Sequence, residues 1–355
     1  HVMGGPISKL GEELIRSHAE FLEPNVLKAG GETIRAERVV IATGSKPVVP
    51  GAWRGFGDRV ITTDQVFELD QLPARMAVVG LGVIGLELGQ ALARMGVEVT
   101  GIDMLERVGG LQDDTVNDTA VAAMRREFPM WLGTAAELAD APDGGIRVTA
   151  GDNQVDVDKV LVAAGRKPNV DGLGLDQLGI ELDQRGVPVY DPETMKVPGA
   201  PIWVAGDANG ELPLQHEARD EGQIAGYNAA RETHQRFRRR APLAIVFSDP
   251  NVVTVGEPWE TLKNADVVVG TCRFERDQRS RIKHNDTGVA RIYADRKDGR
   301  IRGASLIAPG GEHMGHLLAM AVQHGLTAVD VLRMPFYHPT LEERLQDALR
   351  DVANN

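Results

Sequence analysis

The run Gly80-x-Gly82-x-x-Gly85 constrains this 355-residue chain more than any other feature. Met76 to Val79 before it is a short apolar strand, and Leu86 to Met95 after it reads as a helix, stopped by Gly96. Val97 to Asp103 is the next strand, and Asp103 lies 18 residues after Gly85, near the spacing of about 20 at which such units place an acid. Each part has a chemical use. Gly80 permits the tight turn, Gly82 lets a pyrophosphate approach the backbone, and Gly85 lets the helix close on the strand, with Val83 and Ile84 between them. The helix start offers free N–H groups and the positive end of its dipole to phosphates. Asp103 can accept from an adenosine ribose 2′-hydroxyl and would repel a 2′-phosphate, so NAD is expected over NADP. Arg107, four residues on, is the one neighbour suited to a 2′-phosphate. A glycine-rich turn without ligand is the competing reading; strand, helix and acid together weigh against it.

Composition narrows the rest. The 40 glycines suit an α/β protein with many strand-to-helix turns. A formal net charge of −12 argues against nucleic acid or an anionic membrane as partner. One cysteine, Cys272, cannot build a disulfide framework or a cysteine-rich zinc site. No apolar run reaches the ~20 residues of a membrane span, and His1-Val2-Met3 does not open a signal peptide. Cytoplasmic residence is expected.

Along the chain, residues 19 to 35 read as short strands split by turns, and Arg38 to Gly44 as a strand buried on both faces. A hairpin is expected around Asp143-Gly144-Gly145, and a strand over Val160 to Ala164. Ile202 to Ala205 is a strand, followed by a helix from Leu214 to Glu232. Arg236 to Arg240 is expected to be a solvated charge run. Beyond Pro242, five strands precede two helices, which suggests a separate α+β domain. The domains expected are 1–73 with 166–238, then 74–165 for NAD, then 239–355.

Other short motifs flank the glycine fingerprint in a fixed order: Ala42-Thr43-Gly44-Ser45 before it, then Ala164-Gly165-Arg166-Lys167-Pro168-Asn169, Ala205-Gly206-Asp207 and His338-Pro339-Thr340-Leu341-Glu342-Glu343. In this the chain resembles the pyridine-nucleotide–disulfide oxidoreductases, within them most the dihydrolipoamide dehydrogenases. The resemblance implies Rossmann-like three-layer FAD- and NAD(P)-binding domains and a C-terminal α+β dimerisation domain. It implies FAD contacts at Thr43, Gly44, Ser45, Gly206 and Asp207, the last on the ribityl chain. Pro213, Leu214, Gln215 and His216 would lie against the flavin ring. Glu87 would sit near the nicotinamide, and Gly165 and Arg166 would close the NAD domain. It implies a homodimer through residues 239–355 and a small-molecule or lipoyl dithiol as substrate.

In the family, the histidine matched by His338 exchanges protons with the dithiol across the dimer, and the glutamate matched by Glu343 orients it. From the residues alone, Thr340-x-x-Glu343 also reads as a capping box. Two residues before His338, where the lipoamide enzymes usually carry a second histidine, this chain has Phe336. His313-x-x-His316 lacks a third metal ligand, and Cys272 is expected to be packed and inert. The family's own FAD fingerprint and its C-x-x-x-x-C pair do not occur in these residues. The chain therefore resembles a member without its N-terminal flavin segment, with an incomplete FAD site, weak or no flavin, and no dithiol turnover by itself. A flavin-dependent NADH oxidase or transhydrogenase relative, and a non-catalytic NAD-binding dimerising module, are the alternatives.

Overall fold

Arg75–Val79 is buried at its last four residues, as the unbroken apolar run requires of a strand covered on both sides. It is the middle strand of a five-stranded parallel sheet. In spatial order the strands are Val60–Ile61, Lys159–Val162, Arg75–Val79, Glu98–Asp103 and Met130–Leu132. A computed structural model describes residues 8–275 and 287–355 of the chain; the opening His1-Val2-Met3 lies outside them. The described residues fall into two compact units, one of residues up to Lys46 with Arg166–Arg239, the other of Pro47–Gly165 with Arg240–Asn355.

In the second unit, helix Val83–Arg94 follows the glycine turn and packs Leu86 and Leu92 beneath the sheet, with helix Asp114–Met124 beside it. Asp113 caps the latter by accepting from the Val116 N–H. The hairpin expected near Asp143 is part of a three-stranded antiparallel sheet, Glu137–Asp140, Ile146–Ala150 and Asn153–Val157. The C-terminal part is a five-stranded antiparallel sheet in the order Leu243–Val246, Asn251–Gly256, Ile301–Ala308, Val289–Asp295, Val267–Arg273. Helices Gly311–Gln323 and Leu345–Ala353 cover it. The second buries Leu345, Ala348, Leu349 and Val352, a stripe at helical spacing. It crosses the sheet tightly at Gly270, where a Cβ would stand 1.9 Å from the Ala348 carbonyl oxygen.

The first unit has three layers, and one strand shows why. Ile202–Val204 pairs in parallel with Val39–Ile41. Ile202 and Val204 face an apolar cluster with Phe21, Val170 and Val197, under the antiparallel strands Ala19–Glu23, Val26–Ala29 and Glu32–Arg35. Trp203 and Ala205 face the other way, onto Ile224 and Ala225 of helix Gln215–Ala229. The period of two divides the strand between two covering layers.

Three expectations need correction. The first domain boundary does not fall at residue 73: residues 47–73 cluster with the nucleotide domain, because Val60–Ile61 pairs with Lys159–Val162 in its sheet. The strand after Arg38 is not buried on both faces. Val40 is 40% exposed, and among the described residues that strand has a single paired neighbour. The arginine-rich stretch is a solvated run only in part: Arg236, Arg238 and Arg240 are exposed, with Arg236 pairing with Asp191 and Glu193, whereas Arg239 reaches the buried Glu217 and Glu221.

Candidate nucleotide and proton-relay sites

The glycine fingerprint has the geometry its spacing implies. Gly80, at φ 96°, lies so close to the neighbouring strand end that a Cβ would sit 2.5 Å from the Ala163 carbonyl oxygen. A Cβ on Gly85 would sit 1.8 Å from the Gly80 oxygen, so helix and turn touch through backbone alone. Gly82 is different: a Cβ there meets nothing within 4 Å. Two glycines are therefore required by the protein's own packing, and the third faces open space at a helix start that lacks a side-chain cap. That space and those free amides fit a pyrophosphate.

Asp103 ends its strand beside this turn. Its Oδ2 accepts from the Leu81 N–H at 2.6 Å and its Oδ1 from the Leu105 N–H at 2.8 Å. Each oxygen keeps a further acceptor site for a ribose hydroxyl. Arg107 is directed elsewhere, donating to the Gln112 carbonyl and the Asp114 carboxylate. Glu87, on the helix after the fingerprint, accepts at Oε1 from the Phe247 N–H at 2.7 Å, a contact sequence reasoning missed. Gly165, at φ 103°, accepts from the Val48 N–H.

In the first unit, Arg166 Nε donates to Ser45 Oγ at 2.8 Å, and Ser45 Oγ donates to Asp207 Oδ2 at 2.7 Å. The Arg166 side chain thus meets residues matched to the flavin, while its backbone follows Gly165 at the close of the NAD domain. Thr43 and Gly44 are held to the same stretch, through Asn169 Nδ2 to the Thr43 oxygen and the Asn169 N–H to the Gly44 oxygen. Gly206, at φ 68°, and Asp207 start a single helical turn, so Asp207 is held by a side-chain partner and caps no long helix. Helix Gln215–Ala229 begins after Pro213 and Leu214 with no side-chain cap, leaving amides of its first turn, at Gln215 and His216, for a ligand. The His216 ring is exposed, with Nε2 3.6 Å from Glu217 Oε1.

His338 Nδ1 lies 3.0 Å from Glu343 Oε2 and 3.1 Å from Oε1. An ionised carboxylate can only accept, so Nδ1 carries the hydrogen and Nε2 is left to exchange protons with a substrate. The imidazole is 70% exposed and the Glu343 side chain 21%. The capping-box alternative is absent here: Thr340 Oγ1 donates to the Tyr337 oxygen, and Glu343 lies in the short turn Glu342–Arg344 without a side-chain cap. Phe336 packs against the apolar cluster of this domain, while Tyr337 is exposed. His316 Nδ1 is engaged by the Glu312 oxygen of its own helix. Cys272 is buried, and burial pushes its thiol up to about 12.

Comparison with known proteins gives the family. Residues 8–222 match the pyridine nucleotide-disulphide oxidoreductase family, and residues 243–349 match that family's dimerisation domain. A dihydrolipoyl dehydrogenase of Halobacterium salinarum is 33% identical, over 97% of this chain and 76% of its own length. One from Haloferax volcanii is 32% identical, over 98% and 77%. The flavoprotein disulfide reductase RclA of Escherichia coli superposes with a TM-score of 0.82 at 26% identity, covering 94% of this chain and 78% of that one.

Proposed function

This chain belongs to the pyridine nucleotide-disulphide oxidoreductases, FAD-dependent NAD:disulfide enzymes with a dimerisation domain, and on that premise we propose that it serves dithiol oxidation coupled to NAD reduction. The observation that carries the reading is the His338–Glu343 pair, an oriented imidazole of the kind a thiol needs for proton transfer. An oxidase or transhydrogenase without a disulfide has no use for that pair.

The residues fit both cofactors. The Gly82 space, the helix start and Asp103 would hold NAD by its pyrophosphate and ribose, with Glu87 at the nicotinamide end and Gly165 closing the domain. The Arg166–Ser45–Asp207 chain and the helix start at Gln215 would hold the ribityl and ring part of FAD, beside Thr43, Gly44 and Gly206. A flavin held there would supply electron transfer between thiol and nicotinamide. His338 takes the thiol proton, and Glu343 keeps its ring in one tautomer and stabilises its charged form. A lipoyl or related small dithiol is the substrate class, although Phe336 stands where the lipoamide enzymes usually carry a second histidine. A homodimer follows from the dimerisation domain, with its interface in residues 239–355 and His338 serving the partner's flavin. No helix of the described residues is long and apolar enough to cross a membrane.

The redox disulfide is not within these 355 residues, whose one cysteine is buried in the dimerisation domain. Incubated with NAD and reduced lipoamide, this chain by itself is expected to form no NADH above background at 340 nm. NADH formation by the chain alone would refute the proposal that dithiol oxidation needs a disulfide outside these residues.

A further inference from the structure

Two acids one helical turn apart, Glu217 and Glu221, are 5% and 4% exposed on helix Gln215–Ala229. Arg239 Nη2 reaches both, at 2.7 Å from Glu217 Oε2 and 3.1 Å from Glu221 Oε1. The other oxygen of Glu221 turns away from its own helix. Oε2 accepts from the Gly206 N–H at 2.8 Å and from Asn209 Nδ2 at 2.7 Å. Asn209 is 1% exposed, and its own Oδ1 accepts from the Glu211 N–H. One buried carboxylate oxygen therefore fixes both ends of the turn Gly206–Asn209, and Asp207 lies between them.

The arrangement costs free energy that packing alone does not require. An apolar residue at 221 would serve the helix as well. Instead burial pushes the Glu221 carboxyl upward, Glu217 adds to this, and Arg239 opposes it. Tyr190 faces the same charge, and its hydroxyl is pushed up by burial, with Glu221 and Glu211 adding to the rise. What the carboxylate supplies in return is a partner for the Gly206 N–H. That amide belongs to a residue at φ 68° whose Cβ would come within 3.2 Å of Ala218, so the turn has little freedom to find another acceptor.

We propose that Glu221, balanced by Arg239, is a positioning residue: its carboxylate holds the Gly206–Asn209 turn in the shape in which Asp207 meets Ser45. The functional meaning rests on the reading of Asp207 as the acid for the flavin ribityl chain. Glu221 itself touches no reacting atom.

The test is amide hydrogen exchange of the full chain, read by mass spectrometry on peptides spanning 205–210 and, as a reference, 289–295. In Glu221→Ala, exchange at the turn is expected to rise at least tenfold while the reference strand is unchanged. Glu221→Gln keeps a neutral acceptor of the same shape and is expected to restore part of the protection. It also serves as the deciding variant if Glu221→Ala fails to fold. Unchanged exchange at the turn in Glu221→Ala, or in Glu221→Gln where only that variant folds, overturns the proposal. A parallel FAD titration by flavin fluorescence, made with the same variants in the disulfide-bearing enzyme that carries the N-terminal flavin segment, separates the two claims. Asp207→Asn is expected to weaken FAD without loosening the turn. If Asp207→Asn has no effect on FAD while Glu221→Ala loosens the turn, the ribityl reading fails and the positioning role of Glu221 stands.

Discussion

At the scale of single residues, the strongest statements concern which hydrogen bond a side chain makes. His338 is paired to Glu343 through Nδ1, so its neutral form is one tautomer, with Nε2 bare. Ring 15N shifts should show that tautomer as the main neutral form. Glu343→Gln should give a mixture and lower dithiol turnover of the flavin-loaded, disulfide-bearing enzyme by about 10²–10⁴-fold, the range of a lost general acid–base contribution. An unchanged tautomer in that variant would remove Glu343 from the relay. Cys272 makes the opposite case. Its thiol, raised to about 12 by burial, holds almost no thiolate near neutrality. Iodoacetamide at pH 8 should leave it unmodified in the native chain and alkylate it fully in denaturant; rapid native labelling would contradict its placement.

At the scale of elements, the fingerprint separates packing from ligand binding. Gly85→Ala puts a methyl 1.8 Å from the Gly80 oxygen and must push helix Val83–Arg94 off its strand. A loss of about 1–3 kcal/mol is expected from such overpacking, read as a lower midpoint in denaturant. Gly82→Ala adds a methyl to open space and should leave the midpoint within about 0.5 kcal/mol, as surface changes do, while NADH affinity falls at least tenfold. Equal effects of the two on stability would mean that Gly82 also packs. This contrast explains what was legible in the sequence. The strand–turn–helix unit could be read because an unbroken apolar run, a glycine turn and a 3.6 period follow one another without tertiary help. The capping box at Thr340 could be misread because local pattern cannot show that Thr340 Oγ1 donates to the Tyr337 oxygen. The strand Val60–Ile61 was invisible for a related reason. It is two residues long, and its membership of the sheet rests on pairing with Val160 and Leu161, a hundred residues away. Arg239 belongs to the same class. Its two buried acids lie about twenty residues upstream on another element, so nothing near Arg236–Arg240 distinguishes a buried ion-pair clamp from a surface run.

At the scale of the whole molecule, each proposed function is assigned to an element of a different kind. A parallel sheet ends in the nucleotide site, a three-layer unit presents Ser45, Asp207 and Arg166, and an antiparallel sheet with its helices carries His338 and Glu343. The match to a dimerisation domain over residues 243–349 implies a homodimer, so light scattering should give twice the 38.4 kDa chain mass. The account turns above all on the claim that this chain holds a pyridine nucleotide at Gly82 and Asp103, with a preference set by Asp103 and left unopposed by Arg107, which is bound to Gln112 and Asp114. The most direct measurement is a titration of the chain with NADH and with NADPH, followed by nicotinamide fluorescence at one ionic strength. NADH should bind at one site per chain, at least tenfold more tightly than NADPH, and Asp103→Ala should narrow that gap. Equal affinities, or tighter binding of NADPH, would contradict the assignment of Asp103 and with it the reading of the site as one for NAD.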